Sequence, residues 1–242
     1  MKVLLTSGGT KTLIDEVRHV GNMSNGTFGN HICKALLDTG NDVNFLYAKG
    51  SKCLHELRLD LRSNTSSNLK ELVARMTDME NYEGKYNSIQ YYDYNEYSDK
   101  LIQQLIEFQP QIVILAAAVS DYAPVQKSGK ISSELTDMNI EMKQTKKLIR
   151  IVKDIVPSTY LVGFKLLVGS SKDELIAAMK KQIENTRANL VIGNDIRDIR
   201  SDNHKLTIMD DKGEVTFTSG YPGSILAEIL VQKIVRDYKK SH

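Results

Sequence analysis

The stretch Leu4–Gly29, LLTSGGTKTLIDEVRHVGNMSNGTFG, constrains what the rest of the chain can become. A short apolar strand, Lys2–Leu5, runs into Thr6-Ser7-Gly8-Gly9-Thr10. A second glycine pair, Gly26 and Gly29, stands behind Asn22 and Ser24, where a helix is expected to start. Glycines let backbone N–H groups come close to phosphate oxygens, and a following helix offers its unpaired amides and positive dipole end to the same anion. A strand, a tight turn and a capped helix need no ligand, and one such turn is common. Two glycine pairs converging on one helix start point to an anion site at the end of the first strand.

With 242 residues, 41% of them hydrophobic and 26% charged, the chain suits one α/β domain over 1–242 with a sizeable core. Its net charge of +2, from 32 basic and 30 acidic residues, gives no long-range field for nucleic acid or a membrane surface. Any anion site is therefore local. The opening MKVLLTSGG lacks the apolar core of a secretory signal. The run Ile112–Val119 is far shorter than the roughly 20 residues that span a bilayer. A cytoplasmic protein is expected. Cys33 and Cys53 have no metal spacing and form no disulfide framework; Cys33, among Ile32, Ala35 and Leu36, reads as packing.

Behind Gly29, Phe28, Ile32, Ala35 and Leu36 recur at helical spacing up to Thr39-Gly40-Asn41, and Asp42–Ala48 alternates as a second strand. Strand, helix, strand is the unit of a parallel sheet, whose ligands sit at the carboxyl ends of the strands. Leu69, Leu72, Val73 and Met76 predict a helix face, with Asn64–Asn68 supplying capping residues. Asn81–Tyr97 is rich in tyrosine. It reads either as a stacking platform for bases or, with so little positive charge, as partly buried strand and edge packing. Ser98–Phe108 predicts a helix stopped by Pro110, and Gln111–Val119 a strand covered on both faces. Beyond it, Asp121 either caps a turn before Pro124 or accepts hydrogen bonds from a sugar. The loop Val125–Leu135 carries Lys127 and Lys130, either solvated or able to bring an ammonium to a phosphate. Further on the pattern predicts a short strand and an amphipathic helix before Pro157, a buried strand Tyr160–Leu167 and a helix Asp173–Arg187. A strand Leu190–Ile192, a hairpin Lys205–Met209 with Glu214–Thr218, and a helix Ser224–Tyr238 complete it.

Ser7-Gly8-Gly9-Thr10, Ile14-Asp15-Glu16-Val17-Arg18, Asn22-Met23-Ser24-Asn25-Gly26 with Gly29, Ala116-Ala117-Ala118-Val119-Ser120-Asp121-Tyr122, Lys130-Ile131, Gly163-Phe164 and Asn194-Asp195 together resemble the phosphopantothenate–cysteine ligase family. The likeness keeps the motif order over nearly the whole chain and is to a stand-alone form. It implies a Rossmann-like three-layer α/β fold with a mainly parallel central sheet, here with a small β-hairpin extension. It also implies a homodimer, Mg²⁺, and ligation of 4′-phosphopantothenate to cysteine through an acyl-nucleotidylate. By that resemblance Gly8, Gly9, Ser24, Gly26 and Gly29 cradle the triphosphate. Ala116, Ala117 and Asp121 hold the nucleoside, with Phe164 beside the base. Asn22 contacts the acyl-phosphate, Lys130 is the flap lysine, and Lys180 or Lys181 is a helix lysine. The metal ligands are not assigned. Bacterial members carry Lys-Ile-Lys-Lys where this chain has Lys130-Ile131-Ser132-Ser133, and eukaryotic members carry Phe-Lys-Leu like Phe164-Lys165-Leu166. CTP is the expected cosubstrate and ATP the alternative.

Two other readings of the glycine-rich turn are an NADP-dependent short-chain-type reductase and a non-catalytic nucleotide-binding module. The reductase needs a Tyr-x-x-x-Lys pair for proton transfer, and none of the 11 tyrosines has lysine four positions on. Asn22 and Lys130 are both retained, which argues for chemistry over the module.

Overall fold

Lys2–Ser7 forms the first strand, β1, and its residues 3–7 are all buried. A strand buried on both faces reads as continuous apolar sequence, and its alternate side chains go to opposite layers. Val3 and Leu5 accordingly join one core cluster and Leu4 the other. The computed structural model describes residues 1–55, 65–132, 134, 136–199 and 204–241. After β1 come β2 (Lys11–Leu13), β3 (His19–Gly21), α1 (Thr27–Asp38), β4 (Asp42–Ala48), α2 (Thr65–Asn81), β5 (Tyr86–Tyr91), α3 (Tyr94–Phe108) and β6 (Ile112–Leu115). Then follow β7 (Tyr122–Pro124), β8 (Met142–Gln144), a 3₁₀ turn (Leu148–Arg150), α4 (Val152–Ile155), β9 (Tyr160–Leu167) and α5 (Lys172–Thr186). The chain closes with β10 (Leu190–Asp195), α6 (Ile196–Ile199), β11 (His204–Asp210), β12 (Val215–Tyr221) and α7 (Gly223–Ser241).

Eight strands make one sheet in the order β12-β11-β10-β9-β6-β1-β4-β5. β1, β4, β5, β6, β9 and β10 run parallel, and β11 and β12 add antiparallel at one edge. On one face Ile32 and Leu36 of α1 and Leu226, Leu230 and Ile234 of α7 pack on Phe45, Ile114 and Val162. On the other, Leu101 and Leu105 of α3 and Leu175 and Met179 of α5 cover Leu4, Val113 and Val191. The result is the expected three-layer α/β fold. Each fully buried leucine or isoleucine contributes about 1.5–3 kcal/mol of burial. The chain goes from β1 through α1 to β4 on one side and returns after β5 to β6 on the other. The order therefore reverses between β1 and β6, and in open α/β sheets ligands bind outside the carboxyl ends of the strands at such a point.

Several expectations need correction. The strand Gln111–Val119 shrinks to β6, because from Ala116 the chain leaves the ladder: the Ala117 N–H bonds Thr6 Oγ1 (3.2 Å) and the Ala118 N–H bonds the Gly8 carbonyl (2.8 Å). The helix before Pro157 is broken into the 3₁₀ turn and α4, in a stretch crowded with the β-branched Ile149, Ile151, Val152 and Ile155. The C-terminal hairpin forms as expected and extends the main sheet at one edge, where β11 pairs with β10. Leu69, Val73 and Met76 do lie on a helix, but each is more than half exposed and does not face the core. Of the residues expected to cap that helix, Asn64 lies outside the described residues. The tyrosine-rich segment forms β5 and the first turn of α3, capped by Asp93 Oδ1 on the Glu96 N–H (2.9 Å). Tyr82, Tyr91 and Tyr97 are buried, with the rings of the last two 5.0 Å apart, as the packing reading requires.

Candidate functional site at the sheet reversal

The loop after β1 and the loop after β6 are tied together across the reversal. Thr10 N–H donates to the Ala118 carbonyl (3.0 Å), Ala118 N–H to Gly8 (2.8 Å), and Ser120 N–H to Thr10 Oγ1 (2.8 Å). Asn22 completes the junction, its Nδ2 donating to the same Ala118 carbonyl at 2.9 Å. Its neighbour Met23 is 92% exposed, so the junction faces solvent. Beneath it Tyr91 donates its hydroxyl to the Ser7 carbonyl (2.9 Å), a buttress from β5 that the glycine pattern could not disclose.

Glycine is required here by contact. A Cβ on Gly9 would lie 2.3 Å from the Asn22 carbonyl oxygen, and one on Gly29 would lie 2.7 Å from Ser7 Cβ. The first turn of α1 therefore rests directly on the end of β1. Gly8 (φ 85°) and Gly26 (φ 73°) occupy left-handed backbone, and Gly26 opens α1 without a side-chain cap. Asn25 Oδ1 takes the Thr27 N–H (3.0 Å), and the first turn carries no acidic residue. Ser24 follows the junction, its N–H bonded to the Asn22 carbonyl (2.9 Å). Gly8, Gly9, Asn22, Ser24, Gly26 and Gly29 thus form one cradle, a backbone arrangement suited to an anion.

Ala116 and Ala117 are half-buried beside this cradle. Asp121 is exposed and ion-paired with Lys147, and its carbonyl accepts the Thr145 N–H (2.9 Å). Phe164, midway along β9 and just past the level where β6 ends, packs edge-on against Phe28 of α1, centroids 6.3 Å apart, and Phe28 lies 5.3 Å from the His204 ring. Asn194 Nδ2 lies 3.2 Å from His204 Nε2, so the two share a hydrogen bond at this aromatic corner. Burial holds the His31 and His204 imidazoles below their ordinary value of 6.5. Asp195 sits further along β10 and is held well below the usual carboxylate range, first by the Arg197 guanidinium.

Lys180 and Lys181 are exposed on α5. The α5 side chain that reaches the sheet end is Gln182, whose Nε2 donates to the Phe164 carbonyl (3.4 Å). Nothing in the local pattern distinguishes that glutamine from a solvated one. Lys130 is exposed in a loop whose backbone is bonded to the turn Asp15–Arg18, and Ser133 lies outside the described residues. Among the described residues no three His, Cys, Asp or Glu side chains converge to hold a metal ion, and no helix is long and apolar enough to cross a membrane.

The family model for the DNA/pantothenate metabolism flavoprotein C-terminal domain matches residues 1–80 and 71–238. The coenzyme A biosynthesis bifunctional protein CoaBC of Thermococcus kodakarensis is 28% identical, over 86% of this chain and 44% of its own length. The phosphopantothenate–cysteine ligase 2 of Oryza sativa subsp. japonica is also 28% identical, over 80% of this chain and 68% of its own. The chain spans about half the length of the bifunctional relatives it matches. The crystal structure of the DNA/pantothenate metabolism flavoprotein from Streptococcus pneumoniae superposes with a TM-score of 0.79 at 26% identity, covering 98% of this chain and 99% of that one. Since the model match runs from β1 into α7 and takes in every element of the cradle, the chain belongs to the family of the DNA/pantothenate metabolism flavoprotein C-terminal domain.

Proposed function

We propose that the chain is one phosphopantothenate–cysteine ligase domain acting in coenzyme A biosynthesis, with CTP as cosubstrate. The observation that carries this reading is the Gly9–Asn22–Ala118 junction. It sets an exposed asparagine amide between an anion cradle and the loop after β6, where an acyl-phosphate needs a polar partner. The name of the rice relative and the names of the bifunctional archaeal relatives support the same reaction.

A carboxylate is a poor acyl donor because oxide is a poor leaving group. In the first step the carboxylate oxygen of 4′-phosphopantothenate attacks the α-phosphorus, the bond to the β,γ-diphosphate breaks, and pyrophosphate leaves. In the second the cysteine amine attacks the acyl carbon, the C–O bond of the mixed anhydride breaks, the nucleoside monophosphate departs, and the amine proton is released to water. Backbone amides around Gly8, Gly9, Ser24, Gly26 and Gly29 bind the triphosphate. Asn22 orients the acyl-phosphate, and Lys130 brings an ammonium to the charge that develops at phosphorus. Ala116 and Ala117 leave room for the sugar, Asp121 accepts from its hydroxyls and Phe164 flanks the base. Lys180 and Lys181 keep no assigned role. Among the described residues no three His, Cys, Asp or Glu side chains converge to hold a resident Mg²⁺; magnesium prefers phosphate oxygens and water and would enter with the triphosphate.

The deciding assay is pyrophosphate release with 4′-phosphopantothenate, cysteine and Mg²⁺, with CTP and ATP tested separately. Release with CTP alone, together with phosphopantothenoylcysteine, is the expected result. Release with ATP alone would reassign the cosubstrate, and none with either would discard the ligase. We also propose a cytoplasmic homodimer, consistent with the exposed apolar Tyr122, Val125 and Met142 on and beside β7 and β8; light scattering of the purified chain reads the assembly.

A further inference from the structure

The turn Ile14–Arg18 and the loop Lys127–Ile131 are joined by a set of bonds that the catalytic reading does not use. Lys127 N–H donates to the Ile14 carbonyl (3.0 Å). Gly129 N–H donates to Glu16 Oε1 (3.0 Å), and the Gly129 carbonyl accepts the Glu16 N–H (3.3 Å). Ile131 is held at both ends of its backbone: its N–H donates to Asp15 Oδ2 (3.1 Å), and its carbonyl accepts from an Arg18 guanidinium nitrogen (3.2 Å). The bonds fall on alternate residues, and Lys130 stands exposed between two anchored neighbours.

Asp15 is the centre of this set. Its side chain is 0% exposed, yet no acceptor capacity is wasted. Oδ1 accepts the N–H groups of Val17 (2.9 Å) and Arg18 (2.7 Å), while Oδ2 faces Ile131 N–H and the Arg18 guanidinium (3.5 Å). One oxygen thus builds the turn and the other reaches across to the loop. A buried carboxylate is retained in a protein only where donors satisfy it. The bond from Ile131 is the leading reason its carboxyl lies below the ordinary 3.8.

We propose that Asp15 and Arg18 are positioning residues that clamp the loop at Ile131, directly after Lys130, and so fix where its ammonium acts. The proposal rests on the role given to Lys130 above, and Asp15→Asn separates the two. The new amide can keep its oxygen toward Val17 and Arg18, which leaves its NH₂ facing Ile131 N–H and the guanidinium. Those are donors against donors, so the turn survives and the loop is released.

Hydrogen exchange of the intact chain should then show faster exchange at Ile131, with β1 and β6 unchanged. Turnover should fall on the order of 10²-fold, the cost of a misplaced catalytic group. In a Lys130→Ala background the same substitution should lower turnover no further, because Asp15 acts only through that lysine. Should Asp15→Asn not fold, Arg18→Gln removes the half-exposed arm and should give the same exchange pattern. Unchanged protection at Ile131 in a folded variant, or effects of Asp15→Asn and Lys130→Ala that multiply, would overturn the clamp. Exchange reads the clamp without substrate, so absence of pyrophosphate release in the wild type would count against the ligase alone.

Discussion

The proposed site has two walls made by different means. The wall from Gly8 to Gly29 is built by close approach of backbone, with Gly9 against the Asn22 carbonyl and Gly29 against Ser7. The wall from Lys127 to Ile131 is held by hydrogen bonds to a distant turn, in which side chains, above all the buried Asp15 carboxylate, join two backbone bonds. A wall of the first kind tolerates no added atom. One of the second kind tolerates shape changes but not the loss of an acceptor, and it can be released without unfolding what lies beneath.

Gly9→Ala tests the first wall with the largest expected effect. The new methyl meets a backbone oxygen at 2.3 Å, so the junction itself must move. Overpacking of this kind costs about 3 kcal/mol, or roughly 6–12 °C of melting temperature for a chain of this size. Turnover should be lost with it. A thermal melt within a degree of wild type would mean that the wall is not set by backbone contact.

Asn22→Asp comes next and divides fold from chemistry. The carboxylate replaces a donor by an acceptor facing the Ala118 carbonyl, for a stability cost of about 1 kcal/mol. Pyrophosphate release should fall on the order of 10²-fold, as when one preorganised donor is lost from a site of developing charge. Wild-type rates in a folded variant would remove Asn22 from the mechanism.

The same contrast explains what could be read from the chain. The glycines were legible because close backbone approach admits one residue type, and β1 because burial on both faces leaves only apolar residues. The partnership of Asp15 with Ile131 spans 116 positions and uses a carboxylate that locally resembles any solvated turn residue. Gln182 and the Tyr91 hydroxyl were hidden for the same reason, since each is defined by its partner on another element. Leu69, Val73 and Met76 mark a helix correctly, yet helical spacing says only that a face exists and not what covers it. The apolar run up to Val119 predicts a longer strand than the one that ends at Leu115, because an apolar run does not show where a loop takes over its hydrogen bonds.

Glu16 gives a smaller test within the second wall. Its side chain binds Gly129 N–H from an exposed position, where water can replace it. Glu16→Gln keeps an acceptor there, so stability should change by no more than about 0.5 kcal/mol and turnover little. A loss as large as that of Asp15→Asn would mean that burial is not what gives the clamp its grip.

The smallest effect expected is a pH dependence that reaches one wall and spares the other. His31 on α1 and His204 on β11 lie behind the first wall, and burial lowers both below 6.5. Lys52 also lowers His31, whereas Asp198 partly opposes the shift at His204. The unfolded chain therefore binds protons that the folded chain refuses as the pH drops through 6.5, so stability falls toward acid over that window. Asp15 shifts the other way relative to its window: its carboxyl is held below 3.8 and stays ionised at pH 5.5, so the clamp is unaffected there. Melting temperature should decline modestly from pH 7.5 to 5.5, and replacing both histidines by glutamine should flatten that decline. Protection of the Ile131 amide, corrected for intrinsic exchange, should hold over the same range. If it were lost together with the melting temperature, the two walls would form a single cooperative unit and the distinction between them would fail.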